Sequence, residues 1–321
     1  MRRAVTAAVV AAAPLVLLAV PLGGGPVQSQ AEPIPTSTPI SSELPDSPPE
    51  RTLRLLFIHH SCGGQWLADN GTATEEGASC IYQSHPNGGG LRRALALANY
   101  EVHEASYGSE IGENTELLDW LPKFRDKMDA ILSVSHQDER YQDGGKNDVV
   151  VFKSCYTSND FTSEGAAPGD PGGRELTVWN ARASMTALLG EFAKHPKTLF
   201  LNVTTPPLAP RLNPAPAWKW LLKALLRRPQ DSERLAERAR LARVFHDWVV
   251  SPDGWLAGYE PKNVAVFDYY GVLTGNGRSN LSVFPTGLGL DSHPSSSGNA
   301  KASAAFLPLL NRAVHRAEIA K

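Results

Sequence analysis

The chain has 321 residues, with 31 Lys and Arg against 33 Asp and Glu, a formal net charge of -2. That balance excludes a broad cationic footprint, and with it any electrostatic case for nucleic acid as a partner. Its 42% hydrophobic content is that of a globular protein.

Arg2 and Arg3 open the chain, Ala4 to Leu22 follows without a charge, and Ser29-Gln30-Ala31 offers a small-x-small cleavage site. Residues 1–31 therefore read as an export signal, cleaved or retained as an N-terminal anchor. Either outcome places the rest outside the cytoplasm, secreted or held at the membrane. Residues 32–50, rich in Pro, Ser, Thr and acidic side chains, are expected to form a disordered linker. Residues 51–321 are long enough for one α/β domain.

Five short apolar runs read as buried strands: Leu53 to His59, Tyr100 to Ala105, Asp148 to Lys153, Lys197 to Val203 and Asn263 to Asp268. Three of them are almost continuously apolar, the pattern of strands covered on both faces in a parallel sheet. Apolar residues at helical spacing predict helices over Gly90 to Asn99, Glu113 to Leu132, Val178 to Lys194, Ser232 to Val250 and Ala300 to Ile319. The alternation predicts a doubly wound α/β fold. Gln137 to Asn147 and Thr162 to Glu175 are polar, Gly-rich insertions. A longer one, Thr205 to Gln230, carries five prolines by Pro216. It then sets Trp218, Trp220, Leu221, Leu222, Leu225 and Leu226 beside Lys219, Lys223, Arg227 and Arg228. That segment predicts a short basic amphipathic helix, packed as a cap on the domain or contacting a membrane surface or substrate.

Ser61 directly follows the first strand, in Phe57-Ile58-His59-His60-Ser61-Cys62-Gly63-Gly64. Ligands of open parallel sheets bind outside the carboxyl ends of the strands. A Ser there can present its hydroxyl, and two glycines let the backbone turn sharply and a substrate approach. The plain alternative is a turn or helix N-cap Ser. Far along the chain, Asp291-Ser292-His293-Pro294 precedes the final helix. A His that takes a proton needs a partner to fix its tautomer and stabilise the imidazolium, and a carboxylate two residues earlier can be that partner. Ser61, His293 and Asp291 are thus the candidate nucleophile, base and orienting acid. Asp268, at the end of the fifth strand, is the weaker candidate acid. Strand alternation sends one of His59 and His60 inward and the other to the site rim. Trp66 and Trp120 could stack on a sugar, but are expected in the core, the more frequent place for Trp. Cys62, Cys80 and Cys155 allow one disulfide, joining Cys62 to Cys155 or to Cys80. No CxxC or HxxxH pair suggests a metal site.

Together, Ile58-His59-His60-Ser61-Cys62-Gly63 and Asp291-Ser292-His293-Pro294 resemble the SGNH, or GDSL-like, hydrolase superfamily, over Leu53 to about Ile319. His59-His60-Ser61 replaces the usual Gly-Asp-Ser, as in a divergent branch. The resemblance implies a flavodoxin-like three-layer α/β/α fold with a five-stranded parallel sheet. It also implies ester hydrolysis, often of acyl groups on carbohydrates, without metal or organic cofactor. The implied oxyanion hole joins the Ser61 N–H, Gly108 (with Gly112 as rival) and Asn159, or Ser154 or a backbone N–H where the Asn159 loop does not fold back. The implied partner is a small-molecule or carbohydrate ester, met by a monomer, with peripheral membrane or cell-wall contact left open. A non-catalytic glycan-binding protein and a glycan O-acyltransferase on the same scaffold are the rival readings.

Overall fold

The structure is a computed structural model that describes residues 40–213 and 216–321. The export signal expected over residues 1–31 lies outside the described residues. Five strands build the central sheet: β1 (Leu53–Ile58), β2 (Tyr100–Ala105), β3 (Val149–Lys153), β4 (Leu199–Val203) and β5 (Val264–Phe267). They lie in the order β5-β4-β3-β1-β2, and every neighbouring pair is parallel.

The helices are α1 (Ser61–Leu67), α2 (Leu91–Leu97), α3 (Trp120–Ser133), α4 (Val178–Phe192), α5 (Ala217–Leu225), α6 (Asp231–Val250), α7 (Tyr269–Leu273) and α8 (Ser296–Arg316). Strand alternation sorts them into two layers. Leu56, Ile58, Val150, Phe152, Phe200 and Val266 pack with the apolar stripes of α3, α4 and α6. Leu55, Phe57, Val149, Val151, Leu201 and Phe267 pack on the other face with those of α1, α2, α7 and α8. Both faces are covered, which is why the strands read as unbroken apolar runs. Each such side chain contributes about 1.5–3 kcal/mol on burial. This is a flavodoxin-like three-layer α/β/α fold. Its strand order reverses beside β1, so the loops after β1 and β3 flank the crevice where such sheets hold ligands.

Three expectations change. The helix predicted from Glu113 starts only at Trp120. Pro122 lacks an N–H and is tolerated only in a first turn, where that donor has no intrahelical partner in any case. The linker is not a loose tether over residues 40–50. Ile40 and Pro49 are buried, Asn311 Nδ2 donates to the Asp46 carbonyl (2.7 Å), and Glu50 N–H donates to that of Ala320 (2.9 Å). Finally, α5 is not a packed cap. Trp218, Leu221, Leu222, Leu225 and Leu226 are all exposed.

Candidate active site

Ser61 is the first residue of α1, one residue beyond His60 and three beyond the end of β1. At that place its N–H has no intrahelical acceptor and the start of the helix faces the carboxyl edge of the sheet. The two glycines that follow are not a sharp turn: they lie within α1. A Cβ on Gly63 would stand 2.4 Å from His59 Cβ, and one on Gly64 only 1.8 Å from the Cys80 carbonyl oxygen. The glycines therefore let the start of α1 press against β1 and the Cys80 loop, and so fix where Ser61 stands.

His293 and Asp291 come from a two-stranded antiparallel ribbon, in which residues 285–286 pair with residues 291–294. The intervening Gly287, Leu288 and Gly289 all have left-handed backbone, with φ of 56°, 58° and 91°. That tight reversal returns the chain so that Asp291 reaches forward to His293. Asp291 Oδ1 accepts from the His293 backbone N–H (3.0 Å) and lies 2.7 Å from its Nδ1. The Thr286 hydroxyl donates to Asp291 Oδ2 (2.9 Å). On the far side of the ring, His293 Nε2 is 2.9 Å from Ser61 Oγ. One neutral tautomer satisfies both contacts: Nδ1–H donates to Asp291 and Nε2 accepts from the Ser61 hydroxyl. Burial alone would raise the Asp291 carboxyl, but the His293 amide, the His293 ring and Thr286 outweigh it and hold it below its ordinary value. The Tyr156 ring meets His293 edge-on at 5.2 Å and limits its swing.

The two histidines before Ser61 serve the frame. His59 points inward and is buried, its Nδ1 2.9 Å from the His60 carbonyl and its Nε2 2.9 Å from Glu104 Oε2. Glu104, buried on β2, is also ion-paired with Arg92. Burial pushes its carboxyl up, yet His59 and Arg92 more than reverse that and it lies below the usual carboxylate value. His60 donates from Nε2 to the Gly112 carbonyl (2.8 Å) and stacks on Tyr107 at 3.7 Å. Burial lowers its pKa to about 4, so it stays neutral. Glu104 and Arg92 escaped the sequence reading. The available signal was a carboxylate near the end of a buried strand, a place that requires a partner.

Of the other expected oxyanion donors, the two glycine N–H groups and one Asn159 N–H are bonded elsewhere. Gly108 is exposed and its N–H donates to Glu113 Oε1 (2.9 Å). The N–H of Gly112 donates to Ser109 Oγ (2.8 Å). Asn159 is buried, with Nδ2 donating to the Pro206 carbonyl (2.7 Å) and Oδ1 accepting from His246 Nε2 (2.8 Å). Ser154 Oγ accepts from Trp120 Nε1 (2.8 Å), which leaves its own O–H as a donor. Asp268 caps α7 by accepting from the Gly271 N–H (2.8 Å) and takes no part near His293.

The expected disulfide is not formed. All three cysteines are free thiols, although the Cys62 and Cys155 Sγ atoms are 3.4 Å apart, wider than the roughly 2 Å of an S–S bond. Cys155 Sγ is also 3.8 Å from Ser61 Oγ. Contact with Cys62, aided by Lys153 and His293, lowers the Cys155 thiol well below its ordinary value against the opposing effect of burial. Burial raises Cys62.

Fold and site together define a doubly wound α/β protein that carries a hydrogen-bonded Ser–His–Asp relay at the carboxyl edge of its sheet. No protein-family model matches the chain, and no curated protein matches its sequence. Among solved structures, it is similar to a carbohydrate esterase family 2 enzyme with a carbohydrate-binding domain from Corynascus thermopiles (Myceliophthora fergusii). The TM-score is 0.38 at 15% identity, over 84% of this chain and 68% of that one. A variant of an acetyl xylan esterase from Geobacillus stearothermophilus gives 0.36 at 14% identity, over 82% and 95%. A further carbohydrate esterase, whose active site has divergent catalytic and non-catalytic binding functions, gives 0.36 at 15%, over 82% and 65%. These are distant likenesses.

Proposed function

We propose that this protein is a serine esterase of SGNH type, hydrolysing carboxylic esters through Ser61, His293 and Asp291. The observation that carries the reading is the continuous relay from Ser61 Oγ through both nitrogens of His293 to Asp291. A serine hydroxyl is a weak nucleophile unless a base takes its proton as it attacks. His293 Nε2 is the acceptor for that proton, and Asp291 stabilises the imidazolium that results. Ser61 Oγ adds to the ester carbonyl, and the oxyanion meets the Ser61 N–H at the start of α1. His293 returns its proton to the leaving alcohol, leaving an acyl group on Ser61. Water, deprotonated by the same imidazole, then releases the acid. Each oxyanion donor is worth about 100-fold or more in rate, so a donor beyond Ser61 is expected to be recruited when substrate binds. Acyl groups on carbohydrates are the first substrates to screen, as the resemblance of the two motifs implies. Residues 1–31 favour action outside the cytoplasm.

The test is a fluorophosphonate probe followed by peptide mapping, with a panel of activated esters and acetylated glycans. Label on Ser61, and hydrolysis lost in Ser61→Ala, are expected. A folded protein that takes no label, or takes it on another residue, overturns the assignment.

A further inference from the structure

The segment from Thr205 to Gln230 holds five basic residues and no acidic one, in a chain whose net charge is -2. Within it, α5 presents Trp218, Leu221, Leu222, Leu225 and Leu226 on one side, at the i, i+3, i+4, i+7, i+8 spacing of a single helix face. In a cap helix that face would be buried. Here Trp218 is 61% exposed, Leu221 66% and Leu225 79%. Lys219 flanks the stripe with its ammonium 5.7 Å from the Trp218 ring, and Arg227 and Arg228 follow at the helix end. Lys223 is tied to Asp231.

A second exposed apolar cluster lies beside the candidate site. Leu288 is 88% exposed on left-handed backbone (φ 58°) and gains no packing there, and Leu290 and Leu212 are also exposed. The two clusters belong to linked segments. Arg211 N–H donates to the Gly289 carbonyl (2.9 Å), and Ala209 N–H donates to Ser292 Oγ (2.9 Å), one residue from His293. Of the ten large apolar side chains exposed among the described residues, eight fall within residues 212–226 and 288–290. Scattered exposed leucines are ordinary, but concentration in one linked region marks a contact surface.

We propose that α5 docks on an anionic lipid bilayer, its leucines and Trp218 entering the headgroup boundary while Lys219, Arg227 and Arg228 meet lipid phosphates. The charge pattern selects this occupant. An isologous dimer would set the same basic flanks against each other, with no acidic residue in the segment to answer them. A basic flank beside an apolar stripe suits a surface that is both negative and apolar. The loop carrying Asp291 and His293 is bonded to Ala209 and Arg211, in the same segment of the chain as α5.

The test uses the full chain with Ser61→Ala, so the readout owes nothing to turnover, and vesicles with brominated acyl chains. The Trp218 signal is the emission difference between this protein and the same protein with Trp218→Phe. Brominated phosphatidylglycerol vesicles are expected to quench roughly half or more of that difference, and brominated phosphatidylcholine vesicles to leave it unchanged. A protein tethered by residues 4–22 gives the same answer, since Trp218 itself is read. Exchanging Lys219, Arg227 and Arg228 for Gln should weaken vesicle binding on the order of 100-fold, at about fivefold per basic side chain. Trp218 emission indifferent to phosphatidylglycerol overturns the proposal. So does sedimentation equilibrium showing a dimer that Leu221→Ser dissolves, which would make the face a contact between copies.

Discussion

Replacing Gly64 by Ala adds a single methyl group, and the structure states what it meets. The new Cβ would lie 1.8 Å from the Cys80 carbonyl oxygen and 3.2 Å from His59 Cε1. Non-bonded carbon and oxygen do not approach much inside about 3 Å, so backbone must separate by roughly 1 Å or more. No flexible side-chain tip can yield, because the nearest atom is a carbonyl. Ordinary overpacking costs about 1–3 kcal/mol, and a backbone clash belongs at or above the top of that range. At about 2–4 °C per kcal/mol, Gly64→Ala should lower the melting temperature by about 6 °C or more. Ser61 moves with α1, and its 2.9 Å contact with His293 is the first to suffer. A displacement of about 1 Å typically costs on the order of 100-fold in rate. Circular dichroism melting and initial rates on an activated ester read both quantities. Gly190→Ala is the control: it lies in α4, a Cβ there meets nothing within 4 Å, and it should stabilise by about 0.5–1 kcal/mol. A Gly64→Ala protein that melts and turns over like the wild type would refute the account of how Ser61 is positioned.

Asp291→Asn should lower kcat by about 100- to 10,000-fold with little change in KM, because the amide no longer fixes the His293 tautomer; a loss under about tenfold would remove Asp291 from the relay. His246 is buried, and desolvation with Arg243 nearby lowers its pKa to about 3 from 6.5. Above about pH 6.5 the ring is neutral folded and unfolded, so it adds no pH dependence. Below that, only the unfolded chain takes the proton, so stability falls as pH drops, by roughly 1 kcal/mol per unit. Urea titrations at several pH values should show a shallower fall for His246→Gln, and parallel lines would contradict this. A small maleimide applied to the folded protein should label the half-buried Cys80 alone, with all three cysteines labelled after unfolding; fewer than three by mass spectrometry would mean a disulfide.

The sheet was legible because its strands are covered on both faces, so burial wrote itself into runs such as Val149 to Phe152. That Ser61, Asp291 and His293 would meet was legible because each sits at a place the topology makes special, and because Asp291 is two residues from the His293 ring. The donors around an oxyanion were not. Whether Gly108 keeps a free N–H depends on the rotamer of Glu113, and the Asn159 amide is claimed by Pro206 and by His246 from α6. Those are tertiary choices with no local signature. The exposure of α5 was hidden for a related reason. An amphipathic pattern says which side of a helix is apolar and is silent on what covers it.

Residues 40–50 run against α8, and Arg51 Nε donates to the Lys321 carbonyl (3.1 Å), so the start and end of the domain lie side by side. Both are at the amino edge of the sheet, where β1 begins, whereas Ser61 stands past its other end. Six strand residues, about 20 Å, separate the two edges. A bead, a surface or a fused partner attached through Lys321 would therefore leave from the side opposite Ser61. A protein immobilised that way should keep the Ser61 end of the sheet open to bulky polymers.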